Sequence, residues 1–205
     1  MSGRTRLSIF PLGGALLFPR MHLPLHIFEP RYRAMMSDAL ARDRRIGMVQ
    51  PRGEGSAPPL YQVGCVGKIV QFEALDDGRY NLVLEGLSLF RILRELDVTT
   101  PFRQVEAELL PAPAEPEYLA APSRASLEAE SRRFADAQGY AVDWDAVGRL
   151  DDESLVNGVA QIAPFDIAAK QALLEAPDLE ARAELLVQLM AFFGRHDGED
   201  RVTLQ

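Results

Sequence analysis

The sequence predicts an α+β protein, with a β-rich first half that contains one helix and a second half that is helical. Short apolar runs that end at Gly or Pro fill the first 110 residues, which is typical of strands joined by turns. Residues 111–122 contain four prolines in twelve residues, and proline fits neither a helix interior nor a sheet interior. Beyond this segment, apolar residues recur at helical spacing behind residues that cap helices.

These patterns predict a division of the chain into segments. We expect a β-rich lobe over residues 1–110, a linker over 111–122, a helical subdomain over 123–195 and a polar tail over 196–205. A chain of 205 residues can bury roughly 70% of its unfolded surface, so its core needs no covalent or metal support. The single cysteine and the lack of a long apolar run lead us to expect a cytoplasmic protein without a membrane span.

The expected strands follow the apolar runs of the first half. They cover residues 7–10, 45–50, 61–75, 80–84, 90–92 and 104–109. The long third run changes its inward parity beside Gly64 and Gly67, which predicts a bulge or a sharp bend. Asp77-Gly78 predicts a hairpin turn, because Gly accepts the positive φ that such turns require. In the last run, alternation places Val105, Ala107 and Leu109 inward and Gln104, Glu106 and Glu108 outward.

One helix is expected inside the β-rich half. Pro30 suits its first turn, where a missing N–H group costs nothing. Tyr32 opens an apolar stripe at helical spacing, and Phe28 precedes it by four residues. We therefore expect both aromatic rings to reach one core, so that Phe28 is a principal support of the lobe.

Four helices are expected in the second half, each behind a residue that can accept hydrogen bonds from the first turn. The candidate N-caps, in chain order, are Ser123 or Ser126, Asp151 or Asp152, Asp166, and Asp178. On the second helix, Leu155, Val159 and Ile162 are expected to face inward. Gly194 is expected to end the last helix.

Charge is distributed unevenly along the chain. The formal net charge of -8 argues against general nucleic-acid binding, which depends on cationic neutralisation of phosphates. Residues 1–110 carry a net charge of +2, whereas residues 111–205 carry -10. We interpret this difference as two halves of different construction and not as a binding signal.

Residues 17–32 contain the most specific pattern in the chain. They are LFPRMHLPLHIFEPRY, which closely resembles the LFPGxxLPLxIFExRY opening signature of Lon protease N-terminal domains. Residues 63–69, VGCVGKI, resemble a strand of the same family, and residues 77–79 with Gly86 and residues 90–92 resemble its hairpin. The resemblance identifies the chain as a relative of this substrate-binding domain of ATP-dependent protease La (peptidase S16).

The second half carries the resemblance further. Residues 170–175, KQALLE, together with Asp178 and Arg182, resemble the KQxLLExxdxxeR run of the family's helical part. The match therefore spans about residues 7–193. It departs from the family at Leu89, where an arginine is usual, and residues 112–150 match poorly.

The resemblance implies both a fold and a function. The fold would be a PUA-like, six-stranded β-barrel lobe with one helix, followed by a C-terminal helical bundle. The function would be that of a free-standing bacterial binding module without ATPase or peptidase domains, which takes up unfolded polypeptide segments or a protein partner through an apolar surface. A groove between the lobe and the helices and strand addition at a sheet edge are the two modes considered. The alternative is RNA binding, because PUA-like folds elsewhere bind RNA.

The chain lacks the chemistry of ATP hydrolysis and proteolysis. Its only Gly-Lys pair, Gly67-Lys68, is followed by Ile69 and has no Gly five positions earlier, so no phosphate-binding loop is present. Neither Lys68 nor Lys170 lies near a serine in a pattern that resembles the Lon peptidase site. We expect no enzyme activity and no cofactor.

Several residues that could carry other chemistry have simpler interpretations. His22 and His26 flank Pro24, and on an extended chain they lie about 13 Å apart, too far for one metal ion. Cys65 lies in an apolar run without a nearby histidine, which favours a core position. The charged residues beside Pro30, Glu29 and Arg31 with Arg33, are expected to form a structural network.

Two sets of residues are candidates for binding. The first would form an apolar patch for a polypeptide partner, although each member is of a type that is more often buried. It consists of Phe18, Met21, Leu23, Met35 and Met36. The second would form a basic face for RNA, the alternative function. It consists of Arg20, Arg31, Arg33, Arg42, Arg44 and Arg45.

Overall fold

The chain forms two units, and each unit has its own core. The first unit is Met1–Ala112 and the second is Pro113–Gln205. The computed structural model describes residues 3–111 and 115–200, with side chains through residue 194. The last helix extends through Asp200, so the segment that we expected to be a polar tail begins as helix, and residues 201–205 lie outside the described residues.

The first unit contains six strands and one helix, and the strand that directly precedes the helix was not among the predicted strands. In chain order they are β1 (Arg4–Pro11), β2 (His22–Ile27), α1 (Pro30–Leu40), β3 (Arg45–Val49), β4 (Val63–Ala74), β5 (Tyr80–Glu95) and β6 (Gln104–Leu109). Together with the helical second unit, this confirms the α+β class. The runs that we expected to be separate strands on either side of Gly86 form the single strand β5.

Strand pairing closes the sheet into a ring. β1 pairs with β3, β3 with β4, β4 with β5, β5 with β6, and β6 with β1. Only the β1–β3 pair is parallel. β2 lies outside the ring and pairs with the first half of β5. The six strands therefore form a five-stranded barrel with one additional edge strand.

Glycines occupy the places where strands bend or approach one another. The β4–β5 register shifts between Val66 and Gly67, where the additional residue is Leu87 on β5, and again between Ile69 and Gln71, where it is Val70 on β4. The bulge in the third run therefore lies at Val70, three residues beyond Gly67. Gly78 has a φ of 79° in the turn between β4 and β5, as predicted. At Gly86, a Cβ atom would overlap the carbonyl oxygen of Phe18, so only glycine allows the chain to pass here.

Two apolar clusters fill the first unit. The larger lies beneath α1, where the rings of Phe10 and Tyr32 are 4.4 Å apart between centroids and Met35 and Met36 are fully buried. The smaller cluster surrounds Phe90 of β5, which is fully buried. Both clusters draw residues from strands that are distant in sequence, which is typical of a closed sheet.

Two predictions about the first unit are wrong. Phe28 is 61% exposed and does not support the core. Gln104 is buried, although alternation placed it outward, because its side chain accepts a hydrogen bond from Arg6 and donates one to Thr100. A buried amide is stable when its polar atoms have such partners.

The second unit is helical throughout its described part. Its helices are α2 (Ala121–Gln138), α3 (Trp144–Val147), α4 (Asp152–Ile162), α5 (Ile167–Leu174) and α6 (Leu179–Asp200). Asp151 and Asp166 cap α4 and α5, as predicted, and Asp178 accepts a hydrogen bond from the N–H of Ala181 at the start of α6. Each carboxylate satisfies a donor that has no partner within its helix.

Other helix boundaries differ from the predictions. α2 begins behind Ala120 without a side-chain cap, so neither predicted serine is its N-cap. Ile162 is 82% exposed because α4 ends there, and Val156 and Ala160 instead join Leu155 in the buried face. α6 passes through Gly194 instead of ending there.

Buried cations join the helices of the second unit. Lys170 Nζ donates to the carbonyl oxygen of Gln161 at the C-terminal end of α4, at 2.8 Å. Arg182 Nε donates to the carbonyl oxygen of Leu173 at the end of α5, and its Nη1 donates to Asn157, both at 2.9 Å. Cations are favourable at helix C-termini because the last carbonyl groups lack helical partners. This arrangement explains structurally why the KQALLE run and the later arginine occur together.

The close approach at Gly86 leads to the first prediction. Gly86→Ala should destabilise the protein by about 1–3 kcal/mol, because the new methyl group meets backbone that cannot rotate away. Gly53→Ala is the matched control, since nothing lies within 4 Å of a Cβ atom at that position. Urea denaturation of both variants measures the difference. Equal midpoints for the two variants would show that the strand crossing tolerates a side chain.

Candidate functional site

A shallow groove lies on the part of the sheet formed by β2, β5 and β4. We call it the β2–β5–β4 groove; its volume is about 420 Å³. Its lining consists of Pro24, Leu25, His26, Gln71, Phe72, Glu73, Asn81, Leu82 and Val83. These residues come from three strands that the register places side by side, with Pro24 opposite Val83 and Val83 opposite Gln71. The groove is therefore a product of strand pairing and not of one sequence segment.

Exposed apolar side chains border this groove. Phe72 in the lining is 43% exposed, and Val70, two residues earlier on β4, is 44% exposed. Val70 is the additional residue at the register shift between Ile69 and Gln71, so no β5 residue lies opposite it. Phe28 follows β2, is 61% exposed, and stacks on His26 with 6.1 Å between ring centroids. Phe72 lies opposite the buried Leu82, whereas Val83, Asn81 and Glu73 point to the other face of the sheet. Phe28 is therefore the exposed ring that shares the face of His26 and Asn81.

A row of hydrogen-bonded side chains crosses the three strands. His26 Nδ1 lies 2.7 Å from Asn81 Oδ1, and Asn81 Nδ2 donates to Glu73 Oε2 at 3.2 Å. Arg79 Nη1 lies 3.3 Å from His26 Nε2. A guanidinium group cannot accept a hydrogen bond, so His26 is neutral, accepts at Nε2 and donates from Nδ1. The row fixes the orientation of each polar group at the edge of the groove.

The charge of Arg79 is balanced locally. Its Nε lies 2.6 Å from Asp77 Oδ2 in the turn that joins β4 to β5. The backbone N–H of Arg79 and its guanidinium group lower the pKa of Asp77, so this carboxylate stays ionised. Asp76 and Asp77 therefore belong to a turn, as the sequence indicates, and not to a pair of catalytic carboxylates.

β2 has an unpaired edge, because β5 is its only partner strand among the described residues. The N–H of Gly86 donates to the carbonyl oxygen of Met21, so alternation directs the backbone groups of His22, Pro24 and His26 away from β5. Pro24 has no N–H group and interrupts the free edge at its centre. Proline at such a position protects an edge against the addition of another strand.

The structure separates the apolar residues that we considered as a binding patch. Phe18, Met35 and Met36 are fully buried, so the prediction that they contribute to a surface patch is wrong. They fill the core beneath α1 and β2, where burial gives each side chain its largest stabilisation. Met21 and Leu23 are half-buried, and Leu23 packs against the larger core cluster.

The residues that matter at this surface were largely missed in the sequence. Phe28 was expected to be a core aromatic, and the apolar run 61–75 was expected to face the core. The bulge at Val70 sets which residues of β4 share a face with Asn81, and a change in apolar parity along β4 is its only signal in the sequence. No feature of the sequence singled out Asn81, because its hydrogen bonds are to residues on neighbouring strands.

The six arginines do not form one basic face. Arg31 lies in the first turn of α1, whereas Arg42 and Arg45 follow its last turn, and eleven helical residues span roughly 16 Å. Carboxylates pair with three of the six, since Glu29 pairs with Arg31, Asp38 with Arg42 and Asp43 with Arg45. This separation and this pairing do not favour a phosphate-binding surface.

The residues considered for other chemistry have structural environments. Cys65 is buried, and burial raises the pKa of its thiol, which disfavours the reactive thiolate. Lys170 is buried among the helices, and burial lowers its pKa. Glu29 and Arg31 form an ion pair at the start of α1, which agrees with a structural network. Within residues 3–111 and 115–194, no group of three or more His, Cys, Asp or Glu side chains is arranged to hold a metal ion.

The helices are of the kind found in globular domains. None of the helices in the described ranges has the length and apolar character that a membrane span requires. The first unit is a small closed barrel and the second a set of helices, and this combination defines an α+β class in which a β lobe precedes a helical part.

The chain belongs to the family of ATP-dependent protease La (LON) substrate-binding domains, whose model matches residues 6–191. Among curated proteins, it is 30% identical to Lon protease of Anaeromyxobacter dehalogenans and 29% identical to Lon protease 2 of Myxococcus xanthus, each over 197 residues. Each alignment covers 90% of this chain and 23% of the relative. Lon protease of Escherichia coli K12 is 26% identical over 205 residues, with 92% and 25% covered. The chain thus spans about a quarter of the length of these relatives.

Solved structures show the same fold. A Lon N-terminal domain protein from Xanthomonas campestris superposes with a TM-score of 0.66 at 21% identity, and 92% of this chain and 98% of that chain are covered. The N-terminal domain of the Mycobacterium avium complex Lon protease superposes with a TM-score of 0.62 at 20% identity, and 91% and 98% are covered. The expected Lon-type architecture is confirmed.

The interrupted edge of β2 leads to the second prediction. Pro24→Val restores the missing N–H group, so β2 can pair through its free edge and the protein should self-associate. Light scattering coupled to size exclusion, over a concentration series, measures the molar mass. Val83→Thr on the neighbouring strand β5 is the control, since it leaves the backbone donors of β2 unchanged. If Pro24→Val keeps the molar mass of the unmodified protein, the proline is not what protects the edge.

Proposed function

We propose that this protein is a non-catalytic module that binds polypeptide segments through the β2–β5–β4 groove. One observation carries the proposal: the exposed ring of Phe28 lies beside the groove, on the face that carries His26 and Val83, in a member of a substrate-binding domain family. Exposed aromatic side chains around a concave surface are typical of recognition sites. The ligand is an unfolded segment or a flexible part of a partner protein.

The size of the groove supports a short apolar segment as ligand. A phenylalanine buries about 150–250 Å² when it is fully covered. At about 25 cal/mol per Å², covering the exposed part of Phe28 contributes roughly 3 kcal/mol before the entropy cost of binding. A gross contribution of that size corresponds by itself to a dissociation constant of several millimolar, on the order of 5 mM. Single segments should therefore bind weakly and exchange rapidly.

Recognition takes place through the face of the sheet and not through its edge. Strand addition at β2 would meet Pro24, which offers no donor at the centre of the edge. The accessible apolar groups instead lie on the face that Phe28 and Val83 share. Binding through side chains that bury apolar surface suits ligands of varied sequence, because the hydrophobic effect is not directional.

The proposal includes no catalytic step. The 205 residues contain no phosphate-binding loop, and the environments of Lys68, Lys170 and Cys65 do not resemble those of activated nucleophiles or bases. Lys68 is exposed on β4, and Lys170 donates to a backbone carbonyl group. RNA binding is not favoured, because the arginines lie at separate places on a chain of net charge -8. The single cysteine, unpaired and buried, fits a reducing cytoplasm.

The third prediction tests the groove with unfolded casein as ligand. Phe28→Ser removes the exposed ring on the face of the groove and should weaken binding at least tenfold, because it removes most of the aromatic contact. The stability should change little, since this side chain does not support the core. Fluorescence anisotropy with labelled casein measures the affinity, and urea denaturation measures the stability.

Leu93→Ser is the matched control. Leu93 is 43% exposed and lies on β5 outside the groove lining. The control should bind as the unmodified protein does. Equal losses in Leu93→Ser and in Phe28→Ser would show that binding depends on general surface hydrophobicity. Unchanged binding in Phe28→Ser would refute the groove as the site.

A further inference from the structure

The groove lining carries a single formal charge. Eight of its nine residues are apolar or neutral polar, and the ninth is Glu73 on β4. His26 counts among the neutral residues, because it accepts a hydrogen bond from Arg79 through Nε2. An apolar groove with one carboxylate at its border is electrostatically asymmetric, and such asymmetry selects among ligands more than it adds affinity.

The carboxylate of Glu73 is not neutralised by a cation. Its Oε2 accepts a hydrogen bond from the amide of Asn81, which is a neutral donor. Among the described residues Glu73 forms no ion pair. Asn81 is in turn oriented by His26, so the carboxylate is held at one place on the groove border.

Arg79 lies at the opposite end of the hydrogen-bonded row from Glu73. Arg79 contacts His26 on β2, whereas Glu73 lies on β4, and two strand spacings separate these positions by about 10 Å. Arg79 is also paired with Asp77. The positive charge at the far end is therefore balanced, and the negative charge of Glu73 remains available to a ligand.

We propose that the β2–β5–β4 groove selects polypeptide segments in which an apolar stretch is bordered by lysine or arginine, with Glu73 as the contact for the cationic side chain. The apolar stretch covers Phe28 and Val83, which share the face of Glu73, and the basic residue pairs with the free oxygen of Glu73. This inference rests on the proposed function and adds the class of sequence that the site accepts. Segments bordered by aspartate or glutamate are rejected, because like charges repel at this border.

The expected selectivity is moderate. An ion pair at a partly exposed site changes affinity about two- to fivefold. The comparison of a basic with an acidic ligand combines an attraction and a repulsion, so we expect a preference of about tenfold at low salt. The preference should fall as ionic strength rises, because salt screens exposed charges.

Three fluorescent peptides with one apolar core test the proposal. Each is capped at both ends and carries the core Ala-Phe-Leu-Val-Ala, bordered on both sides by lysine, glutamate or serine. The unmodified protein should bind the lysine peptide most tightly and the glutamate peptide most weakly. Glu73→Gln keeps an acceptor for Asn81 and should remove the preference, and Glu73→Lys should reverse it.

Glu54→Lys is the matched control for net charge. Glu54 is exposed in the loop between β3 and β4, outside the groove lining, and its replacement changes the net charge as Glu73→Lys does. The control should keep the lysine preference. If Glu54→Lys shifts the preference as much as Glu73→Lys, the selectivity comes from the acidic chain as a whole and the inference is overturned.

The serine peptide distinguishes this inference from the proposed function. If the serine peptide binds and Phe28→Ser weakens its binding, but the charged peptides bind equally, only the selectivity is refuted. If no peptide responds to Phe28→Ser, the groove is not the site and both proposals fail. Sedimentation velocity of the protein alone adds a further outcome. Self-association that Phe28→Ser abolishes would identify a second copy as the occupant and overturn the inference.

Discussion

Strand β5 pairs with β4 along most of its length, with β2 through its first half and with β6 through its second half. Sixteen residues are needed for these three partners, so the closure of the barrel depends on one uninterrupted strand. The strand continues through Gly86 because a glycine can pass the carbonyl oxygen of Phe18. The same strand carries Asn81 and Val83, so the geometry of the groove follows from the pairing that closes the barrel.

Local patterns predicted the parts of the fold that depend on local physics. Asp151 and Asp166 cap their helices because a carboxylate can reach the first-turn N–H groups from a neighbouring residue. The prediction that Phe28 lies in the core was wrong because Phe28 lies outside the helix. Helical spacing relates residues within one helix, but α1 begins at Pro30, after Glu29, whose backbone is extended. Phe28 therefore lies on extended chain, and its ring does not follow the direction of the Tyr32 ring.

The candidate site could not be predicted from the sequence for a different reason. His26 and Asn81 are 55 residues apart and meet only because β2 and β5 pair in one register. A shift of one residue would turn every side chain of β2 to the other face. The bulge at Val70 decides which β4 residues lie opposite Asn81 and Val83. Apolar alternation indicated that a strand was present, but the register depends on contacts across the whole sheet.

An exposed apolar groove next to an unpaired strand edge carries a risk of aggregation, and the structure separates the two features. The face of the sheet that carries Asn81 keeps Phe28 and part of Val83 accessible, whereas the edge of β2 is interrupted by Pro24. Under the proposed function, a ligand buries apolar side chains on this face without adding a strand, and such contacts are reversible because they involve few hydrogen bonds. The row from His26 to Glu73 sets a polar border on the same surface. A binding surface that must release its ligands requires weak apolar contact together with a barrier to edge pairing, and one proline in β2 provides the barrier without removing the groove.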